Sequence, residues 1–284
     1  MKLPFPNDLP PAVRRIGRAL TGPETRARFA ASLQHAAHIV SRRDPLFRNS
    51  LAQLSALKNR HQGETCVIIG NGPSIAGDDF RKLSHIPTFC LNRGYLMWQE
   101  QTLTPAYLVA VNDLVIEQFH ADIAAIGCPF FVPWTQRAQF SESRNAIFLE
   151  MRWHKRFFAD PRHGIWAGAT VTYAAMQLAY FMGFKRVLLI GVDHRFKETG
   201  PPHAEVLQKD NDSNHFSPNY FGKDVRWNLP DLEQSELAYS MAKFAYERDC
   251  RQIIDCTRGG ALTIFDKGNL DGELERLRNG KSEE

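Results

Sequence analysis

Cys66-Val67-Ile68-Ile69-Gly70-Asn71-Gly72-Pro73-Ser74 is a short apolar run that breaks into two glycines, an asparagine, a proline and a serine. Apolar residues followed by such a break read as a buried strand ending in a tight loop. Where a parallel strand gives way to a helix, backbone N–H groups and the helix dipole converge, so a glycine loop there can receive the phosphates of a nucleotide. A dinucleotide fingerprint would need a third glycine where Ile75 stands, and a P-loop would need Gly-Lys-Ser/Thr; the sequence has neither. The plain alternative is a strand-to-helix turn, with Pro73 in a first helical turn and Ser74 or Asp78 as its cap.

Downstream, Thr88–Asn92 reads as a second strand and Tyr107–Asp113 as a third, each ending in polar residues. Asn92 and Asn112 thereby come to strand C-termini, where open α/β sheets place their ligands. Pro129–Pro133 and Ala146–Leu149 read as further short strands. Gly168-Ala169-Thr170 precedes a mostly apolar helix, Val171–Met182, stopped by Gly183. Arg186–Asp193 reads as the clearest strand, with Asp193 and His194 at its ligand edge. From Phe196 to Pro230 periodicity is lost among Pro, Asp, Asn, His and aromatic residues, the signature of a lid or binding loop. A helix over Leu232–Asp249 and a strand over Gln252–Cys256 follow, then a charged, frayed tail beyond Leu270. Strands alternating with helices imply a mostly parallel sheet covered on both faces.

The chain has 284 residues, 43% of them hydrophobic, enough for one large α/β domain with an appendage. Five cysteines, odd in number and without a Cys-x-x-Cys pair, match a reduced cytosolic protein better than a disulfide framework or a zinc site. No apolar stretch approaches the roughly 20 residues of a membrane span, and the start lacks a signal-peptide core. The expected location is the cytoplasm.

The formal charge of +4 is unevenly spread. Up to Gln62, eleven lysines and arginines face only Asp8, Glu24 and Asp44, so the remainder is net acidic. Spaced apolar residues over Ala12–Leu20, Glu24–Arg42 and Phe47–Arg60 suit amphipathic helices. This basic segment is either a solvated helical face or a peripheral contact with the anionic inner surface of a membrane; a nucleic-acid partner is not expected.

The densest polar cluster is Asp210-Asn211-Asp212-Ser213-Asn214-His215-Phe216. Asp210-x-Asp212 has a spacing that can hold a divalent metal across a diphosphate. His215 can serve as a general base toward an attacking hydroxyl, because imidazole titrates near neutrality. A solvated turn is the third reading. Asp193 suits a ribose- or sugar-hydroxyl acceptor. His154, His163 and His203 read as surface histidines. Tyr220 and Trp227 line an acceptor side or anchor the loop.

Taken in order, Gly70-Asn71-Gly72-Pro73-Ser74, the strand ends Asn92 and Asn112, Gly168-Ala169-Thr170, Ile190–Asp193 and Asn211–Phe216 resemble the bacterial sialyltransferases that decorate lipooligosaccharide. The chain also resembles the broader DUF115, MptE-like group, which includes hydroxymethylpterin pyrophosphokinases and motility-associated glycosyltransferases. The resemblance runs over about residues 65–265. It implies a Rossmann-like sheet binding a CMP-activated sugar. The Gly70–Ser74 loop would approach the donor phosphate, Asn92 and Asn112 would touch donor hydroxyls, and Gly168, Ala169 and Thr170 would lie beside the cytidine. Asp193 would bind ribose or sugar, and His215 would activate the acceptor. That chemistry is inverting and needs no cofactor. The tyrosines that follow the equivalent aspartate in those sialyltransferases are replaced here by Arg195 and Phe196, and Arg195 can supply the charge for the departing phosphate.

The expected molecule is therefore an α/β protein of three parts. They are a basic helical segment (1–62), a Rossmann-like nucleotide-sugar-binding domain (63–270) with a lid (196–230), and a charged tail (271–284). The expected activity is transfer of a sugar to a glycan or lipid-linked hydroxyl in cell-surface glycan assembly. An ATP-dependent pyrophosphokinase is the alternative, with Asp193, Asp210 and Asp212 holding Mg2+. A non-catalytic nucleotide-binding protein is a third reading. Monomer and homo-oligomer are both compatible with the sequence.

Overall fold

The structure, a computed structural model, describes residues 25, 39–197, 200–208, 212, 214–217, 220–222 and 224–280. The expected helix Ala12–Leu20 and most of Glu24–Arg42 lie outside these, as do Asp210, Asn211 and Ser213. Two compact units are distinguished, Met1–Ala52 and Gln53–Glu284. In the first, residues 39–41 and 45–52 are helical, the latter opening α1 (Pro45–Leu57).

The second unit is built on eight strands: β1 (Thr65–Ile69), β2 (Thr88–Leu91), β3 (Tyr107–Val109), β4 (Phe130–Pro133), β5 (Ala146–Leu149), β6 (Arg186–Ile190), β9 (Gln252–Asp255) and β10 (Asp266–Lys267). They form one sheet in the order β10-β9-β6-β1-β2-β3-β4-β5, with every pairing parallel. The strands from β1 to β6 are buried almost throughout, because helices cover both faces of such a sheet. Cys66, Ile68, Phe89, Leu91, Val109, Val187 and Leu189 join one contiguous core with α4 (Val171–Phe181). Every α4 residue from Thr172 to Phe181 is buried. Its apolar character on all sides is what the sequence showed.

From β1 the chain steps outward through β2, β3, β4 and β5, then returns to lay β6 on the other side of β1. The order reverses between β1 and β6, and a crevice forms at such a switch point. Gly70 and Gly191 close the two strand ends against each other. A Cβ on Gly70 would overlap the Gly191 carbonyl, and one on Gly191, at φ 68°, would lie 2.8 Å from the Gly70 carbonyl oxygen. Val67 pairs with Leu188 and Ile69 with Ile190, so the two loops leave the sheet side by side.

Several expected boundaries are corrected. The third strand stops at Val109 rather than Asp113, because the Asn112 side chain accepts from Val115 N at 3.2 Å and caps a helix, α3 (Asp113–Ala124). A short helix, α2 (Tyr95–Glu100), precedes β3. β6 ends at Ile190 because Gly191 takes up positive φ. Asp193 and His194 are therefore loop residues, and strand alternation does not govern where they point. The segment Phe196–Pro230 is not without secondary structure: β7 (Glu205–Leu207) and β8 (Arg226–Asn228) pair antiparallel in a two-stranded sheet. Strands of three residues are too short to show a period. A long helix, α5 (Leu232–Arg248), follows, and Asp231 caps it. The tail is not frayed from Leu270, since α6 (Leu270–Gly280) is held by buried Leu270 and Leu274. The buried Glu273 carboxylate forms ion pairs with Arg186 and Arg276 at 3.0 and 2.7 Å. No described helix is long and apolar enough to cross a membrane.

Candidate functional site

A cleft of about 420 Å³ opens at the switch point. It is floored by the loops after β1, β2, β3 and β6, walled by the starts of α4 and α5, and covered by the segment around β7 and β8. Of the sequence-predicted residues, Gly70, Asn71, Gly72, Asn92, Asn112, Ala169, Thr170, Asp193 and His215 line it together. Pro73, Ser74 and Gly168 lie just behind the lining, and Asp210 is outside the described residues. Arg195 is exposed and is not part of the lining, although its neighbours His194 and Phe196 are. The chain turns between these neighbours at His194, φ 53°.

The glycine loop differs from its expected role. Pro73–Ile75 forms a single 3-10 turn, not an α-helix, so no helix dipole points at the cleft from here. Three of its N–H groups are engaged within the protein: Gly70 N donates to Ile190 O at 2.7 Å, Gly72 N to Gly191 O at 2.9 Å and Ser74 N to Asp193 Oδ1 at 3.2 Å. Ser74 Oγ donates to Asp193 Oδ2 at 2.7 Å. The Asp193 carboxylate thus occupies the Ser74 end of the loop. Gly72 is required because a Cβ there would overlap the Asp193 carboxylate. Asp193 therefore ties the β1 and β6 loops together, a role its strand-end position did not disclose.

Side chains carry the polar character that the amides do not. Asn71 Nδ2 donates to Leu91 O at 3.0 Å and to the Tyr220 hydroxyl at 2.8 Å, while Asn71 Oδ1 and Asn92 Oδ1 are buried without a hydrogen-bond partner among the described residues. Such acceptors are costly unless a ligand supplies a donor. Asn92, Ala169, His194 and His203 all line the cleft at positive φ, of 46°, 61°, 53° and 63°. Backbone strain in non-glycine residues is concentrated where a ligand would sit. Thr170 caps α4, its Oγ1 accepting from Thr172 N at 3.3 Å and lying 3.2 Å from the Tyr239 hydroxyl. Gly168 admits α5 here, since a Cβ would lie 2.5 Å from Ala238 Cβ and 2.6 Å from the Tyr173 ring.

The cover contributes the titratable centre. His215 Nδ1 lies 2.7 Å from Asp212 Oδ2, and the Asp212 side chain is buried. Asp212 Oδ1 accepts from Asn214 N at 2.9 Å, and Oδ2 also accepts from Phe221 N at 3.2 Å. The carboxylate is thereby fixed, holds the proton on Nδ1, and leaves Nε2 of the cleft-lining imidazole as the acceptor. Tyr220 stacks on the imidazole at 4.0 Å with an 8° tilt. Its hydroxyl accepts from Asn71 Nδ2 and, at 3.3 Å, from Arg93 N, and burial pushes its pKa up. Phe216 N donates to Asn71 O at 2.9 Å, a second tie between cover and glycine loop. Trp227 and Phe221 stack at 5.7 Å; Tyr220 and Trp227 thus both line the cleft and anchor the cover. A reciprocal pair, Gln118 Nε2 to Arg226 O and Arg226 N to Gln118 Oε1, pins β8 to α3.

Two roles escaped sequence reasoning. Asp212 orients His215, and the Asp-x-x-His spacing within one turn was the available signal. His203 is exposed, as expected, yet it lines the cleft and faces Asp231 Oδ2 at 3.3 Å. Of the expected magnesium set, Asp193 is engaged by Ser74 and Asp212 by His215, and Asp210 lies outside the described residues. Among the described residues no three His, Cys, Asp or Glu side chains are grouped as a metal would require. Cys66, Cys90, Cys128 and Cys256 are buried free thiols, and burial raises the pKa of each, to about 12 for Cys128 and Cys256.

The family model for 6-hydroxymethylpterin diphosphokinase MptE-like proteins matches residues 45–199, just over half of the chain. The chain belongs to the MptE-like family. The family match covers the sheet up to β6 and the loops that floor the MptE-like cleft; it ends before the segment that carries Asp212 and His215. Among solved structures, the MAf glycosyltransferase from Magnetospirillum magneticum AMB-1 is similar over 95% of this chain, at 13% identity and a TM-score of 0.46. The chain spans 50% of that protein's length. No curated protein matches.

Proposed function

We propose that this MptE-like protein is a metal-independent glycosyltransferase that moves a sugar from a nucleotide donor, of the CMP-sugar type, to a hydroxyl of a glycan or lipid-linked acceptor. The observation that carries the proposal is the Asp212–His215 pair, 2.7 Å apart, on the cover of a cleft at the sheet's switch point. His215 Nε2 takes the acceptor O–H proton as that oxygen bonds to the anomeric carbon, and the bond from that carbon to the donor phosphate oxygen breaks. The electron pair leaves with the nucleotide, and the sugar is transferred with inversion. Asp212 stabilises the imidazolium that results. Asn71 Oδ1 and Asn92 Oδ1 suit N–H or O–H groups of the donor, and Thr170 and Tyr239 suit its base or ribose.

A second reading, diphosphate transfer from ATP to a hydroxymethylpterin or similar alcohol, is favoured by the family match itself. Thermal-shift titration with CMP, CDP, UDP, GDP and ATP, each with Mg2+ and with EDTA, separates the two. Selective, metal-independent stabilisation by CMP is expected; stabilisation by ATP only with Mg2+ would replace the first reading by the second.

A further inference from the structure

A nucleotide donor brings phosphate charge into a cleft whose lining, among the described residues, contains no lysine and no arginine. The side chains there that can become cationic are His194, His203 and His215. They differ in which nitrogen a carboxylate holds. Asp212 holds Nδ1 of His215 and leaves Nε2. Glu236 Oε1 lies 3.0 Å from His194 Nε2 and Asp231 Oδ2 lies 3.3 Å from His203 Nε2, so in both of these cleft-lining residues the carboxylate takes Nε2 and leaves Nδ1.

The backbone invests in this placement. His194 and His203 both stand at positive φ, a conformation that costs a histidine energy and persists only where neighbours enforce it. For His203 the enforcing bonds are its N–H to Leu229 O at 3.0 Å and its carbonyl from Asn228 Nδ2 at 3.1 Å. For His194 they include Ala261 N to Asp193 O at 2.8 Å, with the ring edge-on to Tyr239 at 6.1 Å.

We propose that His194 and His203, as imidazolium ions backed by Glu236 and Asp231, bind the donor phosphate, while His215 serves as the base. The inference rests on the nucleotide-donor reading above. An imidazole that gives one N–H to a carboxylate is charge-compensated when it holds a second proton, and its other N–H then makes a charge-assisted bond to an anion. The remaining titratable groups that line the cleft do not compete for the role. Asp193 is held by Ser74 and Asp113 accepts from Gln136 Nε2 at 2.8 Å. Burial raises the pKa of both Tyr220 and Tyr239, which keeps them neutral. Phosphate binding therefore needs protonated rings and weakens as pH rises, whereas His215 needs to be unprotonated to accept.

The test is calorimetric binding of CMP against cytidine, UDP against uridine and ATP against adenosine, all in EDTA, at about pH 5.5 and pH 8.5, on either side of the ordinary histidine range. In the wild type the nucleotide should bind more tightly than its nucleoside at the lower pH, with the ratio shrinking at the higher. His203→Asn and His194→Asn retain a residue tolerant of positive φ. Each should cut the nucleotide-to-nucleoside ratio at the lower pH roughly 10-fold while leaving nucleoside affinity unchanged. If His194→Asn fails to fold, His203, whose side chain is 58% exposed, decides the matter. Binding with an unaltered ratio and pH dependence in His203→Asn overturns this inference alone. Failure of the wild type to bind any of the nucleotides overturns the donor reading and this inference with it.

Discussion

The wall of the cleft built from the β1 and β6 loops and the wall built from the cover meet the same space with different chemistry. On the sheet side, Gly70, Gly72 and Ser74 spend their N–H groups on Ile190, Gly191 and Asp193, and two glycines let the strand ends close. On the cover side, Asp212 is saturated by three donors so that one imidazole is presented in one protonation pattern. The first wall is closed on itself; the second presents a titratable side chain. Tyr220 joins them, its ring on His215 and its hydroxyl on Asn71 and Arg93.

The comparison can be broken most decisively at His215. His215→Ala should lower steady-state turnover by roughly two to four orders of magnitude with the melting temperature little changed. Wild-type turnover in that variant would remove reactivity from the cover altogether. Next comes Asp212→Asn, which keeps the volume but reverses the hydrogen-bond demand on Nδ1. A loss on the order of 100-fold in kcat is expected, with KM nearly constant. A change confined to KM would make Asp212 a binding group instead.

Gly72→Ala probes the other wall. Its Cβ would displace the Asp193 carboxylate from Ser74, so urea unfolding should show a loss of about 2 to 3 kcal/mol. An unchanged midpoint would mean that the loop is not the rigid element described. The smallest effect is expected at the joint. Tyr220→Phe keeps the stacking but removes one acceptor of Asn71 Nδ2 and that of Arg93 N, costing about 1 to 2 kcal/mol in stability, with a few-fold fall in kcat. If stability falls and kcat does not, the two walls act independently.

Much of the sheet side was legible beforehand. Val67-Ile68-Ile69 and Val187-Leu188-Leu189-Ile190 are buried strands because both sheet faces are covered, and uninterrupted β-branched and leucine runs announce that. The ends were less legible. Leu114-Val115-Ile116 continues the apolar character of β3, and only the Asn112 cap turns it into helix. The tail hid its helix in a charged segment, because two leucines four residues apart suffice to seat it once Arg186 lies opposite Glu273.

By itself the sequence determined the order of strands and helices, the glycines that allow the β1 and β6 loops to meet, and the presence of a histidine able to accept a proton. Those are local properties: hydrophobic period, backbone freedom and intrinsic acidity are set by a residue and its near neighbours. Tertiary structure alone decided that Asp193 would seal the glycine loop and that Asp212 would orient His215. It likewise placed Arg195 outside the cleft and brought His194 and His203 into it. Side-chain direction in a loop depends on contacts across the fold, such as Ser74 with Asp193 over 119 positions and Asn71 with Tyr220 over 149, which no local pattern encodes.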